Sequence, residues 1–279
     1  MNCGLFRNGA QRNQQSGGGV LHSIDLLYVL SGFAVGALIG VTGVGGGALM
    51  TPILIMLGIN PATAVGTDLF FASLTKTAGT LVHGYNHTID WIVVIRLATG
   101  SVLASTLTLF TLYELHIDSH TAQILITRVL GAALLLTALS LLFHKRMMRL
   151  YLMGVHKPNP ELVRRLTIAA GALVGVLVTI SSVGAGAIGV TLLLLLYPHM
   201  KMKRIVGSDI AHSVPLTLAA GFGHWALGSI DWLLLASLMA GSLPGIFVGS
   251  YLAVHVPESA IRALMAGTLL LACGKMLFY

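Results

Sequence analysis

Six ionisable side chains fall inside long apolar stretches of this sequence: Asp68, Lys76 and His83 in one, Asp209, His212 and His224 in another. An ionisable group at the centre of a bilayer costs at least about 2.5 kcal/mol. Each is therefore expected to face protein or water and is a functional candidate. Lys76, with apolar or small neighbours, has the chemistry to neutralise an anion or to exchange a proton. A structural pairing with Asp68 or Asp209 is its competing role. Asp68 and Asp209 are expected near the starts of their helices, where a carboxylate stabilises free N–H groups. His83, His212 and His224 are proton-coupling candidates, and His83 and His224 fit interfacial positions equally well. Thr67 and Ser208 precede the two aspartates and could cap a helix or bind a solute.

Two glycine-rich breaks add backbone chemistry. Gly43-Val44-Gly45-Gly46-Gly47 precedes one short apolar segment, and Gly184-Ala185-Gly186 precedes another. Glycine lets amide groups approach a ligand closely. A helix beginning directly after such a turn presents free N–H groups and a partial positive charge, which suits an anion. Gly45, Gly46, Gly47, Gly184 and Gly186 thus join Thr67, Asp68, Lys76, Ser208 and Asp209 as candidate substrate-binding residues. Close helix packing is the other use of such glycines.

These residues are held by a chain in which 56% of 279 residues are hydrophobic and 9% are charged. A soluble domain carries about 25% charged residues, and the mean hydropathy of +0.88 agrees that most of the surface faces lipid. The net charge of +7 does not indicate nucleic acid. The basic residues gather at His144–Arg149, Arg164-Arg165 and Lys201–Arg204, as expected of cytoplasmic loops. No metal-ligand spacing, disulfide framework, nucleophile elbow or phosphate loop is present, so no enzyme activity, metal or cofactor is expected. Cys273 reads as a small apolar filler, and no secretory signal is expected.

Apolar segments lie at roughly 24–42, 46–57, 62–83, 89–112, 121–143, 165–182, 185–197, 203–226, 230–254 and 258–278. Eight approach the roughly 20 residues that a spanning helix needs. The segments at 46–57 and 185–197 are too short to cross alone. An offset of 139 residues carries Gly32, Gly36, Val44, Gly45, Gly47 and Ala48 onto Gly171, Gly175, Val183, Gly184, Gly186 and Ala187. An offset of 141 then carries Val65, Gly66, Asp68, His83, Ile89, Asp90 and Trp91 onto Val206, Gly207, Asp209, His224, Ile230, Asp231 and Trp232. Apolar matches arise easily in membrane segments, but two aspartates, a histidine and a tryptophan in register do not. The copies differ at Lys76, which meets Thr217, and at His212, which meets Phe71.

The expected fold is an all-α polytopic membrane protein of two homologous repeats with broken or re-entrant helices. Its parts are a disordered polar tail (1–23), a first transmembrane repeat (24–143), a basic cytoplasmic linker (144–164) and a second transmembrane repeat (165–279). Basic loops at 144–165 and 201–204, with Glu114 and Asp118 on the other side, favour inverted repeats. Arg7 and Arg12 favour a parallel arrangement, which stays open. Asp90-Trp91 and Asp231-Trp232 read as helix starts with an interfacial aromatic residue. Pro215 and Pro244 are expected to kink their helices. Inverted repeats with broken helices are a transporter plan, with the solute at the midplane.

The first glycine motif with Pro52, the second-half Ser182-Val183-Gly184-Ala185-Gly186-Ala187 and the Val-Gly-(Thr/Ser)-Asp strings resemble the TauE/SafE family of sulfite exporters, from about Asp25 to Tyr279. The resemblance implies a multi-pass permease of the cell (inner) membrane that carries sulfite or organosulfonates and is energised by an ion gradient. It also implies about eight spans, which requires the short segments to be re-entrant. Thr191 stands where the first half has Pro52, so the two half-sites differ. The expected partners are a small anionic solute, the lipid bilayer and a coupling proton or sodium. A proton- or sodium-coupled carrier of a non-sulfur solute, with Asp68 and Asp209 holding the cation, is the alternative within transport. A membrane scaffold that does not transport is the alternative outside it.

Overall fold

The computed structural model describes residues 26–42, 47–114, 119–154, 159–252 and 258–278. Within them the chain forms ten helices and no strand. These are α1 (Leu26–Thr42), α2 (Gly47–Met56), α3 (Pro61–Tyr85), α4 (Trp91–Glu114), α5 (Ser119–Gly154), α6 (Pro160–Ser181), α7 (Ala187–Leu196), α8 (Met202–Ala226), α9 (Trp232–Leu252) and α10 (Glu258–Phe278). Each expected apolar segment corresponds to one helix. Among the described residues, five stretches are long and apolar enough to cross a bilayer: Trp91–Glu114, Thr121–Phe143, Pro160–Ser181, Met202–Ala226 and Trp232–Leu252. The 10-residue α2 and α7 extend about 15 Å each, half of the hydrocarbon core.

The helix boundaries follow from local chemistry. Asn60 and Asn159 cap α3 and α6, their side chains accepting from the Ala62 and Glu161 amides at 2.9 and 3.0 Å. Each is followed by a proline at the first helical position, where no N–H is needed. Asp90 Oδ1 accepts from the Ile92 and Val93 amides and so starts α4, while Asp231 Oδ1 does the same for Leu233 and Leu234 at α9. α6 ends at Ser181 and is capped by Ser182, in the left-handed region at φ 59°, and Gly184 and Gly186 follow at φ 131° and 122°. Two glycines at these angles let the chain turn sharply, so that only five residues separate α6 from α7. The basic run from His144 is not a loop throughout, because α5 continues to Gly154.

Helices from the two halves interleave. The extensive contacts are α1 with α9, α4 with α6, α3 with α8 and α5 with α10. Small residues set two of these seams. A Cβ at Gly36 would lie 2.7 Å from Ser242 Cα, and one at Gly175 would lie 2.8 Å from Ser101 Cα. Such gaps admit only hydrogen, so α1 and α6 lie backbone-close to α9 and α4. The offsets of 139 and 141 that relate Gly36 to Gly175 and Ser101 to Ser242 relate the two seams also.

Polarity is reversed relative to a soluble domain. Thr67, Asp68, Ser101, Ser208 and His212 are all fully buried, whereas Leu107, Phe247 and Leu271 are 66%, 77% and 78% exposed. A surface of this kind requires an apolar solvent. Cys273 is buried, as expected of a filler, with its Sγ 3.3 Å from the Gly131 carbonyl.

Candidate functional site

The face-to-face crossing of α3 and α8 organises the interior. Gly66 packs on the Ser229 carbonyl and on His224 Cβ (3.2 Å from an added Cβ), and Gly207 packs on the Thr88 carbonyl and on His83 Nδ1 (2.9 Å). The neighbouring hydroxyls fix the next helices. Thr67 Oγ1 accepts from the Asp231 amide at 3.2 Å, and Ser208 Oγ accepts from the Asp90 amide at 2.8 Å. Thr67 and Ser208 therefore tie the start of the opposite half's α9 and α4. Both hydroxyls thereby bond the backbone of the aspartates that cap α9 and α4.

Asp68 and Asp209 lie in the third turns of α3 and α8 rather than at the helix starts, and both are fully buried. Each instead meets the N-terminal region of a short helix. Asp68 Oδ2 accepts from Thr51 Oγ1 of α2 at 2.5 Å, and the Thr51 amide faces the same carboxylate. Ser182 Oγ stands beside Asp68 without closing a hydrogen bond. The Asp209 carboxylate faces the Gly186 amide at the start of α7. It also fills the space over Gly189, where a Cβ would lie 3.0 Å from Asp209 Cγ.

Lys76 lies two turns beyond Asp68 on α3 and is buried. Its ammonium donates to the Ala185 carbonyl at 3.4 Å, inside the break between α6 and α7. It acts electrostatically on Asp209 and Asp68, yet among the described residues it closes no ion pair with either. The structural pairing considered from sequence is thus a longer-range attraction. His212 Nε2 shares a hydrogen bond with Ser101 Oγ of α4 at 2.9 Å, and Lys76 acts on its ring as well. Asp68, Lys76, Gly184, Gly186, Asp209 and His212 therefore gather around the second break.

Four polar atoms of this cluster are buried without a partner: Asp68 Oδ1, Ser182 Oγ, Asp209 Oδ1 and His212 Nδ1. Buried polar groups are normally satisfied, so four unpartnered atoms in one place set this cluster apart from the rest of the described interior. His224 is buried, with Nε2 at 2.9 Å from the Thr179 carbonyl, and does not reach an interface. His83 is half-buried and shares a 2.8 Å hydrogen bond with Thr88 Oγ1. Neither belongs to the cluster. Gly45 and Gly46 lie outside the described residues, and Gly47 opens α2.

Sequence reasoning missed Thr51, Ser101 and Gly189. Thr51 directly precedes Pro52, the one polar residue of its segment, and that was its available signal. Ser101 differs from Ser105, the other serine of α4, only in that the offset of 141 carries it onto Ser242, which does not point to His212. A separate cavity of about 290 Å³ lies between α4, α6 and the α7–α8 loop, lined by Arg96, Val163, Tyr197 and His199 among others. None of the cluster residues lines it.

The chain was compared with known proteins on this basis. Residues 28–276 match the family model described as Sulfite exporter TauE/SafE. The chain is 38% identical over 260 residues to the probable membrane transporter protein YjnA of Bacillus subtilis (strain 168), covering 91% of this chain and all of that protein. It is 28% identical over 258 residues to the probable membrane transporter protein YdhB of the same organism, again covering 91% of this chain and all of the relative. No solved structure matches it. An all-helical body with lipid-facing apolar helices, a buried charged cluster and a family match over nearly the whole sequence agree: this chain belongs to the TauE/SafE sulfite exporter family of multi-pass membrane transporters.

Proposed function

We propose that the chain is a secondary transporter of small oxyanions, with sulfite or an organosulfonate as its cargo, in the cell (inner) membrane. The observation that carries this reading is Lys76. A buried ammonium reaches the break before α7 and contacts a carbonyl there without an ion pair. A tetrahedral or pyramidal oxyanion offers several acceptors at once. Lys76, the Gly186 amide and the hydroxyl of Ser182 are donors of the matching kind. A buried ammonium that closes one hydrogen bond to a carbonyl and, among the described residues, no ion pair has N–H donors to spare.

The two halves are read as inverted repeats, with α1–α5 equivalent to α6–α10. Support comes from paired contacts: the α1–α9 seam has its counterpart in α6–α4, and the Thr67–Asp231 bond in Ser208–Asp90. Alternating access then moves parts of the bundle around the cluster. Because the halves interleave, the moving bodies are better drawn as α1–α2–α9 and α4–α6–α7 than as residues 24–143 and 165–279.

The test is flux of radiolabelled sulfite into proteoliposomes, with protein-free liposomes as the measure of leak. Wild-type protein is expected to exceed leak several-fold. A hydrogen bond to a charged group contributes about 1.5–3 kcal/mol, so Lys76→Ala should lower sulfite affinity roughly tenfold to a hundredfold. Sulfite flux equal to that of protein-free liposomes refutes sulfite as cargo, and the same result with an organosulfonate refutes the anion reading.

A further inference from the structure

The anion site proposed above already contains an anion. The Asp209 carboxylate faces the Gly186 amide at the start of α7 and draws on the Lys76 charge. Those are the donors that a bound oxyanion would use. Two negative groups cannot share them in a site closed to water, because like charges a few ångströms apart repel strongly where the dielectric is low.

The charges sharpen the conflict. With both carboxyls ionised and Lys76 charged, the three groups carry one negative charge in excess, and among the described residues no other charged side chain acts on Asp209. The groups facing it are Lys76 from α3, with Asp68 beyond it. α7 presents only backbone and Gly189, α6 and α4 present no charged group to it, and His212 lies on its own helix. An arriving monoanion would raise the excess to two.

The two aspartates are not equivalent in how they are held. Asp68 has the Thr51 hydroxyl at 2.5 Å. The residue 139 positions after Thr51 is Val190, which carries no hydroxyl. Asp209 therefore lacks that tie, although each aspartate keeps one buried Oδ1 with no partner.

We infer that Asp209 is a resident competitor for the cargo's donors and yields them by taking a proton, so that each anion travels together with a proton on Asp209. This rests on the anion-transport reading above. The proton is taken from water on the side where the anion enters. It stays on the carboxyl while the oxyanion holds the Gly186 amide and Lys76, and returns to water on the other side, where the carboxylate takes back its donors. No bond other than the O–H forms or breaks. The cargo's entry drives the carboxylate out, so anion and proton move in the same direction.

The test uses the full chain in two ways. In lipid nanodiscs, infrared difference spectra between alkaline and acid pH should contain the C=O stretch of a buried protonated carboxyl, and Asp209→Asn should diminish it. In proteoliposomes, labelled methanesulfonate is the probe because its charge does not change near neutral pH. An alkaline lumen should concentrate it, towards roughly tenfold per pH unit for one proton per anion. Asp209→Asn should abolish this response to the pH gradient, whatever its absolute flux. Wild-type methanesulfonate or sulfite flux that ignores the gradient overturns the inference and leaves anion transport standing. If neither anion moves, the anion reading fails. A carboxyl band that Asp209→Asn leaves undiminished, or that is absent in wild type, overturns the inference by itself, any remainder in the variant being that of Asp68.

Discussion

Gly189→Ala examines the contact on which the Asp209 argument depends. Gly189 sits in the first turn of α7, and a methyl there would lie 3.0 Å from Asp209 Cγ and press against Oδ1. Oδ1 is the nearer atom and would lie deep inside van der Waals contact, so the carboxylate or α7 must shift by at least roughly 1 Å. Overpacking of this kind costs about 1–3 kcal/mol, partly offset by the roughly 0.8–1 kcal/mol that alanine contributes over glycine inside a helix. A net loss of up to about 2 kcal/mol is expected. In an Asp209→Ala background the obstructing atoms are gone and only the helix-propensity gain remains. The same substitution should then stabilise by up to about 1 kcal/mol. The double-mutant cycle should thus give a coupling energy of about 1–3 kcal/mol. Equilibrium unfolding of the four proteins in one detergent measures it. Equal effects of Gly189→Ala in both backgrounds would falsify the placement of the carboxylate over α7.

Other substitutions divide the remaining contacts. Gly175→Ala and Gly36→Ala should each destabilise by about 1–3 kcal/mol, because the new methyl meets the backbone of Ser101 or Ser242. Gly267→Ala meets nothing within 4 Å and should be neutral or stabilising, as thermal unfolding would report. Ser101→Ala removes the partner of His212 Nε2 and leaves the ring with no hydrogen bond, at a cost of about 1–3 kcal/mol measurable by denaturant unfolding. Asp231→Ala removes the α9 cap and should cost about 0.5–2 kcal/mol, seen as faster amide hydrogen exchange confined to the first turn of α9.

The fold was legible in the sequence to the extent that bilayers impose simple rules. Apolar run lengths placed nine of the ten helices within about five residues, the exception being α5, which runs on through the basic segment to Gly154. Asparagine or aspartate side chains accepting backbone amides fixed the starts of α3, α4, α6 and α9. The interleaving of the halves was not legible. Gly32, Gly36, Gly171 and Gly175 signal a close approach, but a small-residue stripe does not say which helix it meets. At the site, Asp68, Lys76, Asp209 and His212 were found because charge in an apolar run is costly. Their partners were not, because Thr51, Ser101 and Ser182 are ordinary residues in such segments. Asp68 and Asp209 were also expected too near their helix starts. The dipole they meet belongs to another helix, and that relation exists only after folding.

The departures from symmetry carry more functional information than the matches. Where the offsets hold, at Gly66 and Gly207, Thr67 and Ser208, and Asp90 and Asp231, the contacts hold the crossing of α3 and α8 together and the paired helix starts in place. Where they fail, the residues converge on one place. Lys76 has Thr217 as its counterpart, His212 has Phe71, Thr51 has Val190 and Ser182 has Gly43. A symmetric pair of aspartates would bind and release protons alike, and the cargo would have no preferred end of the site. Thr51 places a hydroxyl beside Asp68, while Val190, its counterpart by the offset, carries none. In the proton-coupled scheme proposed above, that difference is what singles out Asp209 rather than Asp68 as the exchangeable carboxyl.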